Sequence, residues 1–133
     1  MKSISSKKLK GNILIPGDKS ISHRLVILSS IAIGKSNIKG ILKSDDIMKT
    51  IEAMKNFGAS IEFSNPYNCL IKGVGLGGLA EPKSALDFGN SGTAVRLIMG
   101  LSASHPITTL FVGDASLSMR PVSYTHLTLP TKA

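Results

Sequence analysis

The stretch "SDDIMKTIEAMKNFGASIEF", Ser44 to Phe63, sets a helix and a strand back to back. Ile47, Ile51, Met54 and Phe57 recur at helical spacing and form one apolar stripe. Ser44 stands at the N-cap. Asp45 and Asp46 occupy the first turn, where the positive end of the helix dipole favours carboxylates. Gly58 is the expected stop, because glycine takes the left-handed conformation that ends helices without steric cost. "ASIEF" and "NCLIKGV" then read as two strands joined by a turn at Asn65-Pro66.

Working towards the N-terminus, "SNIKGIL" (36–42) alternates like a strand. "HRLVILSSIAIG" reads as a helix capped by Ser20 or Ser22 and stopped by Gly34. "GNILI" (11–15) reads as a short buried strand broken by Pro16-Gly17. Towards the C-terminus, "GLGGLAEPKSA" is a loop. "LDFGNSGTAVRLIMGLSAS" opens on a glycine-rich turn and runs into a third helix with Ala94, Leu97, Ile98 and Leu101 on one face. "ITTLFVG" (107–113) reads as a strand. From Ser36 the order is β-α-β-β-α-β, an α/β (α+β) unit with a helix-covered sheet.

The 133 residues suffice for one domain with a core, and 42% hydrophobic against 18% charged residues is globular composition. No apolar run approaches a membrane span, and the start of the chain lacks an apolar signal core, so no membrane or export role is expected. The single cysteine, Cys69, has no internal disulfide partner, is expected as a half-buried strand residue, and favours a cytoplasmic address. A net charge of +8 suits acidic partners. Against nucleic acid stand 5% aromatics, no tryptophan, and basic residues that are dispersed apart from Lys7-Lys8-Leu9-Lys10. A small anionic substrate fits the charge at least as well.

Several motifs fail on context. Gly73 to Gly78 spells GxGxxG, but Pro82 follows and no helix begins inside it. "IGKS" (33–36) lacks the first glycine of a phosphate-binding loop, since position 29 is Ser29. His23, His105 and His126 are not at metal-ligand spacing, and no metal site is expected. Two stretches remain. In "PGDKSISHR" (16–24), Lys19, Ser20 and Arg24 put a point charge, a hydroxyl and a two-pronged donor at a helix start, against the dipole unless an anion offsets them. In "GNSGTAVR" (89–96), Gly89 and Gly92 allow close backbone approach, and Asn90, Ser91 and Thr93 offer caps and hydroxyls.

With "GDASLSMRP" (113–121), these motifs stand in the order and separation of a known family. The chain resembles the 5-enolpyruvylshikimate-3-phosphate synthases, also called 3-phosphoshikimate 1-carboxyvinyltransferases, over roughly residues 7 to 122; the "SDD...T...M...FGA" helix fits too. The resemblance implies a fold of two similar lobes built from βαβαββ units, the inside-out barrel of enolpyruvyl transferases, here incomplete. It implies residues 1–16 as a strand segment of the other lobe, 17–122 as part of one lobe, and 123–133 as a non-family tail, foreign or misread. It implies transfer of the enolpyruvyl group of phosphoenolpyruvate to the 5-hydroxyl of shikimate-3-phosphate, with release of phosphate, on the way to chorismate and the aromatic amino acids. No metal or organic cofactor is implied, and the full-length protein is expected as a monomer.

Residue by residue, the resemblance implies Lys19, Ser20 and Arg24 on shikimate-3-phosphate. It implies Lys19, Gly92 and Arg120 on phosphoenolpyruvate, where glyphosate also binds, with Asn90, Thr93 and Arg96 in support. The catalytic acid and base are expected outside this chain, which alone is expected to be inactive and poorly stable. The sister transferase acting on UDP-N-acetylglucosamine shares the fold. It usually carries a cysteine in the loop before the matching arginine, where "GDASLSM" has none, and asparagine where Ser20 stands.

Overall fold

The computed structural model describes residues 4, 5 and 8–120. In chain order the elements are α1 (Lys19–Ile31), β1 (Ile33–Lys39), α2 (Asp45–Asn56), β2 (Ser60–Asn65) and β3 (Asn68–Val74). Then follow β4 (Leu86–Asp87), α3 (Gly92–Ser102), β5 (Phe111–Val112) and α4 (Ala115–Ser118). β1, β3 and β2 form an antiparallel sheet in that order, with Ile38 opposite Cys69 and Ile61 opposite Ile71. β4 and β5 form a separate parallel pair.

The α2–hairpin segment follows its sequence signals closely. Ile47, Ile51, Met54 and Phe57 are all buried. Gly58, at φ +106°, ends the helix. Its N–H donates to Lys55 O and that of Ala59 to Met54 O, the two bonds of a Schellman ending. One face of the sheet, with Ile38, Ile61, Cys69 and Ile71, is buried; α1 and α2 pack on the sheet and against each other. α3 packs on α2 and α1, and Phe88 stacks on Phe111 with ring centroids 5.7 Å apart. The expected α/β class therefore holds, but the sheet is divided in two.

Other expectations need correction. Residues 11–15 form no strand and Ile13, Leu14 and Ile15 are exposed, because a strand needs a partner to satisfy its backbone and none pairs with it among the described residues. α1 is capped by Asp18, not by Ser20 or Ser22: Asp18 Oδ1 accepts from Ile21 N at 2.8 Å, and a carboxylate suits the helix dipole. Ser22 is engaged elsewhere, accepting from Leu42 N at 3.1 Å. Gly34 does not stop α1; Ala32 is the C-cap and Gly34 lies within β1, so the strand begins before Ser36 and ends at Lys39. Ser44 holds the N-cap position of α2 without a side-chain capping bond. Of 107–113 only Phe111 and Val112 are strand, paired with a β4 that no periodicity announced. Cys69 is fully buried rather than half-buried, in the central strand of its sheet. The tail 123–133 lies outside the described residues.

Candidate functional site

The sequence left the cations at the start of α1 awaiting an external anion. The structure instead gives Lys19 an internal partner: its Nζ forms an ion pair with Asp46 in the first turn of α2. Asp46 thus serves the α2 dipole and holds the Lys19 ammonium at the α1–α2 junction. His23, fully buried one turn further on, reinforces the junction, its Nδ1 lying 2.7 Å from Thr50 Oγ1 of α2. Burial, then the nearby Lys19, holds the His23 pKa below the ordinary histidine value.

Ser20 and Arg24 face solvent, as their spacing of one turn allowed; Arg24 Nη1 donates to Ser20 O at 3.1 Å. Arg24 also borders a cavity of about 310 Å³ with Ile27, Leu28 and Leu97, between α1 and α3.

The second cluster is built on the turn from β4 into α3. Asp87 Oδ1 accepts from Gly89 N at 2.9 Å, and its Oδ2 takes Lys49 Nζ at 2.6 Å. The Lys49 hydrogen bond, with that of Gly89, holds the Asp87 carboxyl below the usual range. Ser91 caps α3, accepting from Ala94 N at 3.3 Å. Gly92 is the first helical residue, and Arg120 and Arg96 close over it: a Cβ there would stand 2.8 Å from Arg120 Nη1 and 3.1 Å from Arg96 Nη1. Thr93 is exposed beside them.

Asn90 fixes the arginine. Its Oδ1 accepts from Arg120 Nη2, and its Nδ2 donates to Asp114 Oδ2 at 2.8 Å. Asp114 Oδ1 caps α4 by accepting from Leu117 N at 2.7 Å. That backbone donor, then Asn90, keeps the Asp114 carboxyl below the usual range.

A cavity of about 420 Å³ lies between α2 and the β4–α3 turn, and neither Lys19 nor Arg120 lines it directly. Asp45, Asp46, Met48 and Lys49 of α2 line one side, and Phe88, Gly89 and Asn90 line the other. Lys19 adjoins this space through Asp46, and Arg120 through Asn90. Arg24 borders a different cavity and does not join it. Sequence reasoning missed Asp46 and Asp114 as parts of the site. Asp46 was legible only as a dipole partner, and Asp114 sat unremarked within "GDASLSMRP".

Chemically, Arg120 offers a planar two-pronged donor suited to carboxylate or phosphate. Its guanidinium is held by a neutral amide oxygen, so Asn90 orients it without cancelling its charge. The start of α3 adds its positive dipole end, although Gly92 N already donates to Asn90 O and Ala94 N to Ser91 Oγ. Among the described residues no three His, Cys, Asp or Glu side chains group as a metal site, and no helix is long and apolar enough to cross a membrane.

Comparison with known proteins supplies the family. The family model of EPSP synthase (3-phosphoshikimate 1-carboxyvinyltransferase) matches residues 4–129. The 3-phosphoshikimate 1-carboxyvinyltransferase of Sphingopyxis alaskensis is 56% identical over 118 residues, covering 89% of this chain and 26% of that protein. That of Zymomonas mobilis is 53% identical over 114 residues, covering 86% of this chain and 25% of that protein. The solved EPSP synthase of Acinetobacter baumannii superposes with TM-score 0.82 at 40% identity, covering 88% of this chain and 27% of that one. The chain therefore spans about a quarter of the length of the curated relatives it matches. With its mixed α/β fold, its ordered motifs and its paired helix-start clusters, it belongs to the EPSP synthase family.

Proposed function

We propose that this chain forms one wall of the active site of a 3-phosphoshikimate 1-carboxyvinyltransferase. The whole enzyme moves the enolpyruvyl group of phosphoenolpyruvate onto the 5-hydroxyl of shikimate-3-phosphate and releases phosphate. The observation that carries the reading is Arg120, held by the neutral Asn90 amide over side-chain-free Gly92. A cation so held keeps its charge for an anion, and the missing Cβ lets the Arg120 and Arg96 guanidinium groups close on the start of α3. Arg120, Gly92 and Lys19 take phosphoenolpyruvate, with Asn90, Thr93 and Arg96 in support. Lys19, Ser20 and Arg24 take shikimate-3-phosphate.

Both substrates are multiply charged, so preorganised cations orient them and offset charge as it shifts during addition. The general acid and base belong to the part of the family chain beyond this one, as does the opposite wall. We take the whole enzyme to be a cytoplasmic monomer; the free, buried Cys69 of this chain accords with a reducing compartment.

Titration of the 133-residue chain with phosphoenolpyruvate by calorimetry tests the reading. A charge-assisted bond contributes about 1.5–3 kcal/mol, so Lys19→Ala and Arg120→Ala should each weaken binding about ten- to hundredfold. Lys8→Ala should leave it unchanged. Equal effects of Lys8→Ala and Lys19→Ala would show the site misplaced. Preferential binding of UDP-N-acetylglucosamine over shikimate-3-phosphate would transfer the chain to the sister activity.

A further inference from the structure

The Asn90 side chain has two ends of similar size and opposite hydrogen-bonding sense. Which end faces Arg120 decides whether Asn90 attracts the guanidinium or repels it. Two neighbours bear on the question: a carboxylate can only accept, and a guanidinium can only donate. Asp114 Oδ2 lies 2.8 Å from Asn90 Nδ2 and compels that end to be the NH₂. The carbonyl end must then face the other way, where it accepts from Arg120 Nη2. Main-chain contact fixes the two loops in register, Asp114 N donating to Gly89 O at 2.9 Å.

We infer that Asp114 is a positioning residue: it sets the orientation of the Asn90 amide and, through it, the seat of the Arg120 guanidinium over Gly92. The inference rests on the reading of Arg120 as a phosphoenolpyruvate ligand only for its effect on binding; the seat itself is a matter of geometry. Asp114 makes no direct hydrogen bond to Arg120 among those described; their charges attract through space, and the orienting action passes through Asn90.

Asp114 has a second duty as N-cap of α4, through its other oxygen on Leu117 N at 2.7 Å. The two duties separate on substitution. Asp114→Asn is isosteric, and asparagine caps helices about as well as aspartate. Its one oxygen keeps the cap, so its NH₂ turns towards Asn90. Two NH₂ groups then oppose each other. If Asn90 turns its carbonyl to residue 114, its own NH₂ faces the donor-only Arg120 guanidinium; in either orientation one pair of donors is opposed and the seat of Arg120 is disturbed. Asp114→Ser keeps a capping hydroxyl but is too short to dictate the Asn90 orientation. A pure capping role predicts that Asp114→Asn is harmless. The positioning role predicts that it is the worse of the two.

The test follows the Arg120 Nε–H resonance by ¹H–¹⁵N NMR in the 133-residue chain and its variants, and titrates each with phosphoenolpyruvate. Thermal melts verify that each variant folds. Asp114→Asn should shift the Arg120 resonance and weaken phosphoenolpyruvate at least tenfold, with Asp114→Ser causing smaller changes in both. The double variant Asn90→Asp/Asp114→Asn restores an acceptor towards Arg120, with the residue 114 amide donating to it, and should return the resonance towards its original position. The inference is overturned if Asp114→Asn leaves the Arg120 resonance in place, or if Asp114→Ser perturbs it more than Asp114→Asn does. If the unsubstituted chain gives no response to phosphoenolpyruvate, the functional reading fails by itself, and the Arg120 resonance across the variants still decides whether Asp114 sets the seat.

Discussion

Gly17→Ala tests what aims the entrance to α1, and hence Lys19. A Cβ at residue 17 would stand 2.9 Å from Leu42 N and 3.3 Å from Gly40 C, and nearer still to the Gly40 carbonyl oxygen. All three atoms are backbone, so no side chain can swing aside. The segment they belong to is also tied down. Gly40 N donates to Asn68 Oδ1 at 3.2 Å, Ile41 N to Tyr67 O at 2.9 Å, and Leu42 N to Ser22 Oγ at 3.1 Å. The approach to α1 must therefore retreat, and the Ser22–Leu42 bond that spans the gap is the one exposed to loss.

Overpacking of this kind costs about 1–3 kcal/mol, and a lost hydrogen bond about 1 kcal/mol more. The opposing gain, from a stiffer unfolded chain, is only about 0.4–1 kcal/mol, so the clash wins. The expected loss is about 2–3 kcal/mol, a fall in Tm on the order of 10 °C for a domain of this size. Circular dichroism melts measure it. Gly11→Ala is the control, because a Cβ there meets nothing within 4 Å and only the unfolded-chain effect remains. A Gly17→Ala variant that melts with the Gly11→Ala control would refute the close approach.

Two further expectations concern pH and charge. Burial first, then Lys19, keeps the His23 pKa below the ordinary value, with Arg24 adding to this and Asp46 opposing it. The unfolded chain therefore binds a proton at His23 near pH 6.5, while the folded chain still resists one. Stability is full above that pH and declines as pH falls through it, so the urea midpoint should be lower at pH 5 than at pH 7.5. His23→Gln should flatten this slope, and an unchanged slope would assign it to other groups. The Lys49–Asp87 pair has both side chains partly exposed, at 31% and 54%. Lys49→Met should then cost under about 1 kcal/mol, less at high salt. A larger or salt-independent loss of Tm would show that the pair does more than join two surfaces.

Three ordered motifs carry the family likeness: each joins a helix start, capped by Asp18, Ser91 or Asp114, to a cation that capping does not require. The geometry adds what those motifs cannot state. The helix-start position of Lys19 points to an external anion, whereas Asp46 already pairs with it. The ion pair joins residues remote in sequence, so no local spacing could disclose it.

What the sequence determined by itself was α2 and the hairpin after it. Their signals are local: an apolar stripe at helical spacing, acids in the first turn, glycine at the stop, a turn at Asn65-Pro66. What only the tertiary structure decided were pairings across long separations. Residues 11–15 have strand composition but no strand, because strand formation depends on a partner. β4 and β5 have two residues each and exist because Leu86 and Asp87 meet Phe111 and Val112. The orientation of Asn90 is decided in the same way, by a carboxylate 24 residues and a guanidinium 30 residues further along the chain and next to it in space.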